Sequence, residues 1–403
     1  MAVIIIIAAV SVAMLTIRPR GLPAWVWPIA GATVMVLAGR ETPLLAAQAI
    51  GRQWNVLLFI GGLMGLGAVA SEAGVFRSVA GTLLGLGRGE KRRLFVWTFL
   101  GGAAMTALLS NDATAVILTP IIYDAVSGLG IDPMPYVLAG LFVADTASFG
   151  LPFSNPANVV ILPHPGIWSY LLHLGVPELA AIAINLGIFL WIFRRQLNGV
   201  YAVPVALVEH PKALRVGIGL MCVTVAYIAA LIVHYPLGPV AAISALLLLA
   251  LAAVSPLRVV RRMGWTTLAM LCGLFVLLDA VVRSNAANGA IQALDRHPFD
   301  LAVAASSAGA AALLSNAFNN LPVAIAGAYA VAHDPTGHVA YPLIAGVDLG
   351  PNLTFGGSIA TLLCLDVLRR HGVRVSLRQY LKLGLAVVPA CLAVTVLWLW
   401  ALH

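Results

Sequence analysis

The sequence predicts an all-α polytopic membrane protein, with about ten transmembrane helices plus two re-entrant hairpins in two inverted repeats. Three observations carry that expectation. Hydrophobic residues make up 61% of the chain and charged residues only 9%, whereas a soluble domain carries roughly 25% charged residues. Apolar runs long enough to cross a hydrocarbon layer of ~30 Å as helices recur along the whole length. A short pattern, ALLSN, occurs at 107–111 and again at 312–316, each time inside an apolar segment.

The first run, 2–17, has no basic residue before it and has Arg18 and Arg20 behind it. It therefore reads as a first span with an external N-terminus and not as a secretory signal. Further spans are expected at 22–38, 54–71, 134–162, 177–194, 216–234, 238–254, 265–283, 340–368 and 379–401. Two more apolar segments, 94–123 and 300–331, are interrupted near their middle by Ser-Asn. Each reads as a hairpin that turns back at the interruption.

Charge tests this layout. With the N-terminus outside, all of the 23 basic residues except Arg40, Arg52, Arg283 and Arg296 fall in loops facing the cytoplasm, as the positive-inside rule requires. The net charge of +8 then records loop orientation and not a nucleic-acid partner. Both termini are expected outside. The polar linker 196–215 separates an N-terminal repeat, 1–195, from a C-terminal repeat, 216–403, each with five spans and one hairpin. An odd number of spans turns the second repeat upside down, so the hairpins reach in from opposite faces. Inverted repeats with broken helices near mid-membrane are the architecture of secondary transporters.

A second pair of breaks follows the hairpins. VADTASFGLPFSNPAN (143–158) and GVDLGPNLTFGGSIAT (346–361) each combine an acid, Asp145 or Asp348, with helix-breaking Pro and Gly. Unwound backbone at membrane depth is tolerated where it is buried in protein or lines a cavity. The four breaks point to one shared cavity.

Its expected lining is polar and uncharged. Ser110, Asn111 and Thr114 belong to the first hairpin, and Asn316, Asn319 and Asn320 to the second. Ser148, Asn155 and Asn158 belong to the first broken span, and Asn352, Thr354 and Ser358 to the other. The alternative for any single Asn is a hydrogen bond between helices, and for Asp112 a helix cap. Asp279 with Arg283 one turn later reads as a local ion pair, and Glu72 and Asp366 as solvated span ends. Cys222, Cys272, Cys364 and Cys391 are dispersed without ligand spacing. No Walker loop, HExxH or GxSxG occurs, and 85–93 (GLGRGEKRR) lacks the Gly-Lys step of a phosphate loop. An enzyme is not expected, and no cofactor is called for.

SNDATAVILTPI, FNNLPVAI and GVDLGPNLTFGGSIATLL together resemble the arsenite efflux pump family (ArsB type) of the ion transporter superfamily, over essentially the whole chain. The resemblance implies export of arsenite, and usually antimonite, across the bacterial cytoplasmic (inner) membrane in exchange for protons. It also implies an optional soluble, arsenite-stimulated ATPase subunit as partner. One departure is Asn352, which stands where the family pattern carries a lysine, so no fixed positive charge is expected there. Arsenite at neutral pH is As(OH)3, and a ring of amide and hydroxyl donors and acceptors suits a neutral triol. Proton coupling is assigned to Asp112 and Asp348 first and to Asp145 next. An inward proton gains ~2.3 kcal/mol per 100 mV of membrane potential. A sodium/proton antiporter of the same superfamily would favour carboxylates and carbonyls, and a carboxylate carrier a cation at the breaks. A passive channel for small neutral solutes is the alternative from another class.

Overall fold

In lipid every backbone N–H and C=O must be satisfied within its own segment, so apolar runs fold as helices. The computed structural model describes residues 2–202, 211–284, 299–332, 339–370 and 372–403. Among these it contains helices and a single isolated β-bridge, Glu90 to Val200. Residues 203–210 of the expected linker, and Arg296, lie outside the described residues.

The first half runs α1 (Ala2–Ile17), α2 (Val26–Leu37), α3 (Pro43–Arg52), α4 (Trp54–Glu72), α5 (Val75–Leu86) and α6 (Lys91–Leu108). After a break come α7 (Asn111–Ala113), a π turn (Thr114–Leu118) and α8 (Thr119–Gly128). Then follow α9 (Met134–Thr146), a second break, α10 (Pro156–Ile161), α11 (Ile167–Tyr170) and α12 (Val176–Ile192). The second half runs α13 (Pro211–Ile232), α14 (Leu237–Ala252), α15 (Pro256–Arg262), α16 (Trp265–Arg283), α17 (Leu301–Phe318) and α18 (Asn320–Ala332). It closes with α19 (Ala340–Leu349), a broken stretch, α20 (Ile359–Arg370) and α21 (Leu377–Ala401). Six described helices are long and apolar enough to cross a bilayer by length and composition alone.

The expected spans are present, with the interruptions of 134–162 and 340–368 where the Pro and Gly residues put them. Pro156 does not break a helix but starts one, at the first turn of α10, where its missing N–H costs nothing. Three short helices, α3, α5 and α15, were not expected. They lie between spans, and α5 and α3 carry apolar residues on one side only, as interfacial helices do.

Two faces can be told apart from side-chain contacts. Tyr136, at the start of α9, donates to Lys91 O at the start of α6 (2.9 Å). Tyr201 N donates to Gly89 O (2.8 Å), next to the Glu90 bridge. Thus α6 starts, α8 ends and α9 starts on the face that carries the linker. On the opposite face Phe299, before α17, meets the ring of His403 at 4.7 Å, and Tyr341 of α19 stacks on His173 at 4.4 Å. The 91–128 hairpin therefore opens on the linker face, and α17 begins on the face of the C-terminus.

The halves interlock crosswise. α10, after the break at 147–155, packs against α18 of the second hairpin, while α20, after the broken stretch 350–358, packs against the π turn of the first. Within the second half α17 lies along α19. Gly346 makes that possible, because a Cβ there would meet the backbone oxygen of Ala308.

Candidate functional site

At the first hairpin tip Ser110 is fully extended (φ 175°, ψ 164°) and its hydroxyl accepts from Ala113 N at 3.3 Å. Ser110, and not Asp112, is thus the helix cap. Asn111 N donates to Ser154 O at 3.1 Å, which ties the tip to the first broken span. In the following π turn Thr114 O accepts twice from Thr119, from its backbone N–H and, over 3.0 Å, from its Oγ1.

The second tip differs from the expectation. Ser315 and Asn316 stay within α17, and the chain turns three residues later at Asn319, with φ of 72°. Asn tolerates positive φ better than other side chains, so the turn falls on it. Asn316 instead holds the neighbouring break together. Its Nδ2 donates to Ala312 O (2.8 Å) and Gly350 O (2.7 Å), and its Oδ1 accepts from Thr354 N (2.9 Å) and Thr354 Oγ1 (2.8 Å).

The unwound segment 147–155 satisfies itself in the same manner. Ser154 Oγ donates to Ser148 O (2.6 Å), and Asn158 Nδ2 donates to Ser148 O (2.7 Å) and Leu151 O (3.2 Å). Asn155 caps α10 by accepting from Ala157 N at 3.0 Å. In both breaks side chains thus take up backbone groups that no helix satisfies.

The carboxylates link the halves. Asp348 accepts from Asn155 Nδ2 at 2.7 Å and from Ser148 Oγ at 3.0 Å, both from the first half. Asp145 accepts from Asn111 Nδ2 at 3.4 Å, and its Oδ2 has no partner among the described residues. In return Asn352 donates into the first half, to Phe142 O (3.0 Å) and Thr146 Oγ1 (3.1 Å).

One cavity of about 1050 Å³ receives parts of all four breaks: Ser110, Asn111, Asp112, Asn155, Asn320 and Ser358. Apolar residues such as Leu63, Val116 and Leu321 complete its wall, and the exposed Arg262 and Arg370 mark its opening on the linker face. The other expected site residues stand behind this wall. Thr114 accepts from Thr106 Oγ1 at 2.9 Å. Asn319 reaches Gly356 O at 3.4 Å. Ser148, Asn158, Asn316, Asn352, Thr354, Asp145 and Asp348 are absent from the cavity lining.

Glu72, expected to be solvated, is buried in side-chain contacts and paired with Arg262 (2.7 Å) and Arg258 (3.4 Å) of α15. The local pair Asp279–Arg283 is present at 2.8 Å and extends to Glu41 and to Arg52. Sequence reasoning missed Glu178, a buried acid of α12 whose Oε2 accepts from Gly150 N at 2.6 Å. It also missed Asn185, which donates to Thr146 Oγ1 at 2.8 Å. An acid inside the apolar run 176–192 was the available signal.

Residues 2–347 match the profile of the family described as citrate transporter, CitMHS. The chain belongs to the CitMHS family. This CitMHS member is similar to the arsenical pump membrane protein of Yersinia enterocolitica, with 29% identity over 365 residues and 85% of each chain. Its counterpart in Escherichia coli K12 is 27% identical over 415 residues, 96% of each chain. The ArsB-type resemblance read from the motifs thus reappears over most of the length. An uncharacterized transporter of Mycobacterium tuberculosis is 24% identical over 395 residues, 92% of this chain and 91% of that one. In fold the CitMHS chain is similar to the YdaH transporter of Alcanivorax borkumensis, with a TM-score of 0.52 at 13% identity, covering 88% of this chain and 86% of that one. It is a multi-span membrane protein of a transporter family.

Proposed function

We propose that the chain exports arsenite, As(OH)3, and with it antimonite, from the bacterial cytoplasm in exchange for protons. The two halves act as inverted copies that expose the shared site to one face at a time. The observation that carries the reading is the chemistry at the inner end of the cavity. Ser110, Asn111, Asn155, Asn320 and Ser358 offer neutral donors and acceptors there, with Asp112 the one charged group among the lining residues at that depth.

An uncharged triol needs such a ring of donors and acceptors and no counter-charge. An anion such as a carboxylate would meet Asp112 and find its cations, Arg262 and Arg370, only at the mouth. The relatives named arsenical pump membrane proteins support the same cargo. Asp112 faces the cargo, whereas Asp348 and Asp145 sit one layer behind it, held by Asn155 and Asn111. Protonation of these acids is linked to cargo through the same amides that line the cavity.

The test is arsenite resistance and efflux in a pump-deficient bacterium expressing the chain. The wild type should restore both, and Asn111→Ala should restore neither while still reaching the membrane. Full sensitivity with correctly inserted wild-type protein discards the reading. A protonophore should abolish efflux, whereas efflux that survives it describes a channel.

A further inference from the structure

The cavity has Arg262 and Arg370 at its mouth on the linker face, and neither Asp145 nor Asp348 lines it. Toward the opposite face lies a set of groups that the export reading leaves unused. Glu178 is 7% exposed and accepts from Gly150 N at 2.6 Å. A Cβ on Gly150 would collide with that carboxyl group. An acid inside a membrane is costly, and where it persists it marks ion or proton paths.

Tyr170 is fully buried, and its hydroxyl has no hydrogen-bond partner among the described residues. Its electrostatic neighbours are Asp348, Glu178 and Tyr341, and its ring meets that of Tyr341 edge-on at 6.3 Å. Tyr341 and Ser169 share a hydrogen bond of 2.9 Å in which either oxygen can donate. Ser169 Oγ lies 3.3 Å from His173 Nδ1. Ser169 is exposed and His173 half-buried, on the face where Trp398 of α21 donates to Leu172 O at 2.8 Å.

We propose that the Ser169–Tyr341–His173 cluster, Tyr170 and Glu178 form the proton route from the face opposite the cavity to Asp348. The inference rests on the proton-antiport reading above and names the path it would use. Ser169, Tyr341 and Tyr170 each accept a proton on oxygen and release their own. His173 and Glu178 each gain a proton and then lose one, and the Asp348 carboxylate keeps it, so the relays end unchanged. Glu178 faces the backbone N–H groups of Phe149 and Gly150, and Asp348 faces Asp145, Glu178, Ser148 and Asn155. Asp145 in turn faces Asn111, Asp112 and Tyr380. None of these neighbours is a lysine or arginine, so a proton arriving there meets no fixed cation. Cargo would approach from one face and the proton from the other, as antiport requires.

Proteoliposomes with a trapped pH-sensitive dye test the route. Wild-type vesicles should show proton movement when arsenite is added. Tyr170→Phe and Glu178→Gln should reduce it to the level of protein-free vesicles while arsenite–arsenite exchange runs at the wild-type rate. The glutamine keeps an acceptor for Gly150 N, and the phenylalanine keeps the ring. If both groups serve only to hold the backbone, the variants retain wild-type proton movement, which overturns the route. Wild-type vesicles that exchange arsenite without moving protons overturn the antiport reading, and the route with it. Should either variant lack exchange altogether, Ser169→Ala at the exposed end decides: lost proton movement supports the route, and retained movement overturns it.

Discussion

Asn155, the cap of α10, donates its amide to the Asp348 carboxyl group of the second half at 2.7 Å. Through this bond the residue that lines the cavity also holds a buried acid of the opposite half. Leaving a buried acceptor without its partner costs about 1–3 kcal/mol. Asn155→Ala should therefore lower stability by that order in detergent unfolding, and Asn155→Asp by more, because it sets a second acid against Asp348. The exchanged pair Asn155→Asp with Asp348→Asn should regain much of the loss. A double variant no more stable than Asn155→Asp alone would deny the bond its role.

The two Ser-Asn copies should respond differently to the same change. Asn316→Ala removes four hydrogen bonds and strands Gly350 O and Thr354 N. Unsatisfied buried groups cost roughly 1–3 kcal/mol each, so this variant should unfold earlier and express poorly. Asn111 makes a 3.4 Å contact to Asp145 and accepts from Asp112 N at 2.9 Å. Asn111→Ala should remain folded and lose transport, and thermal melts beside efflux assays separate the two outcomes.

Packing of α17 on α19 should depend on Gly346. A methyl group there would press on the Ala308 backbone, and overpacking typically costs about 1–3 kcal/mol. Gly346→Ala should lower the melting temperature, whereas Gly309→Ala, with open space around it, should not. Equal melting temperatures for the two variants would contradict the close approach.

The cavity should be reachable from one face in this conformation. With the exposed Cys222 replaced by serine, Ser358→Cys and Asn320→Cys should react with a membrane-impermeant maleimide applied from the linker face. The reagent should leave them unmodified when applied from the other face. Arsenite should slow the labelling. Thr361→Cys, buried and outside the cavity lining, should stay unmodified from both sides.

Coupling should be lost when the acids are neutralised together. Asp112→Asn combined with Asp348→Asn should leave arsenite exchange without dependence on the pH gradient. Export by this pair that keeps the wild-type pH dependence would remove both residues from the coupling mechanism.

The membrane class, the spans and three of the four breaks were legible in the residues alone, while the second hairpin turns three residues after its Ser-Asn. Lipid admits almost no backbone conformation except the helix, so apolar length and the placement of Pro, Gly and Asn carry most of the information. The short helices α3, α5 and α15 escaped notice because an interfacial helix needs only a one-sided apolar pattern. The tertiary structure decided which polar groups line the cavity. Both ALLSN segments read alike, yet Ser110 ends its helix and turns Asn111 toward the cavity, while α17 continues to Asn319 and buries Asn316 against Gly350 and Thr354. That choice depends on which carbonyls a neighbouring chain segment brings within reach, and local sequence does not encode it. Glu178 shows the same limit: only the fold reveals that the acid on the first turn of α12 closes over the unwound backbone at Gly150.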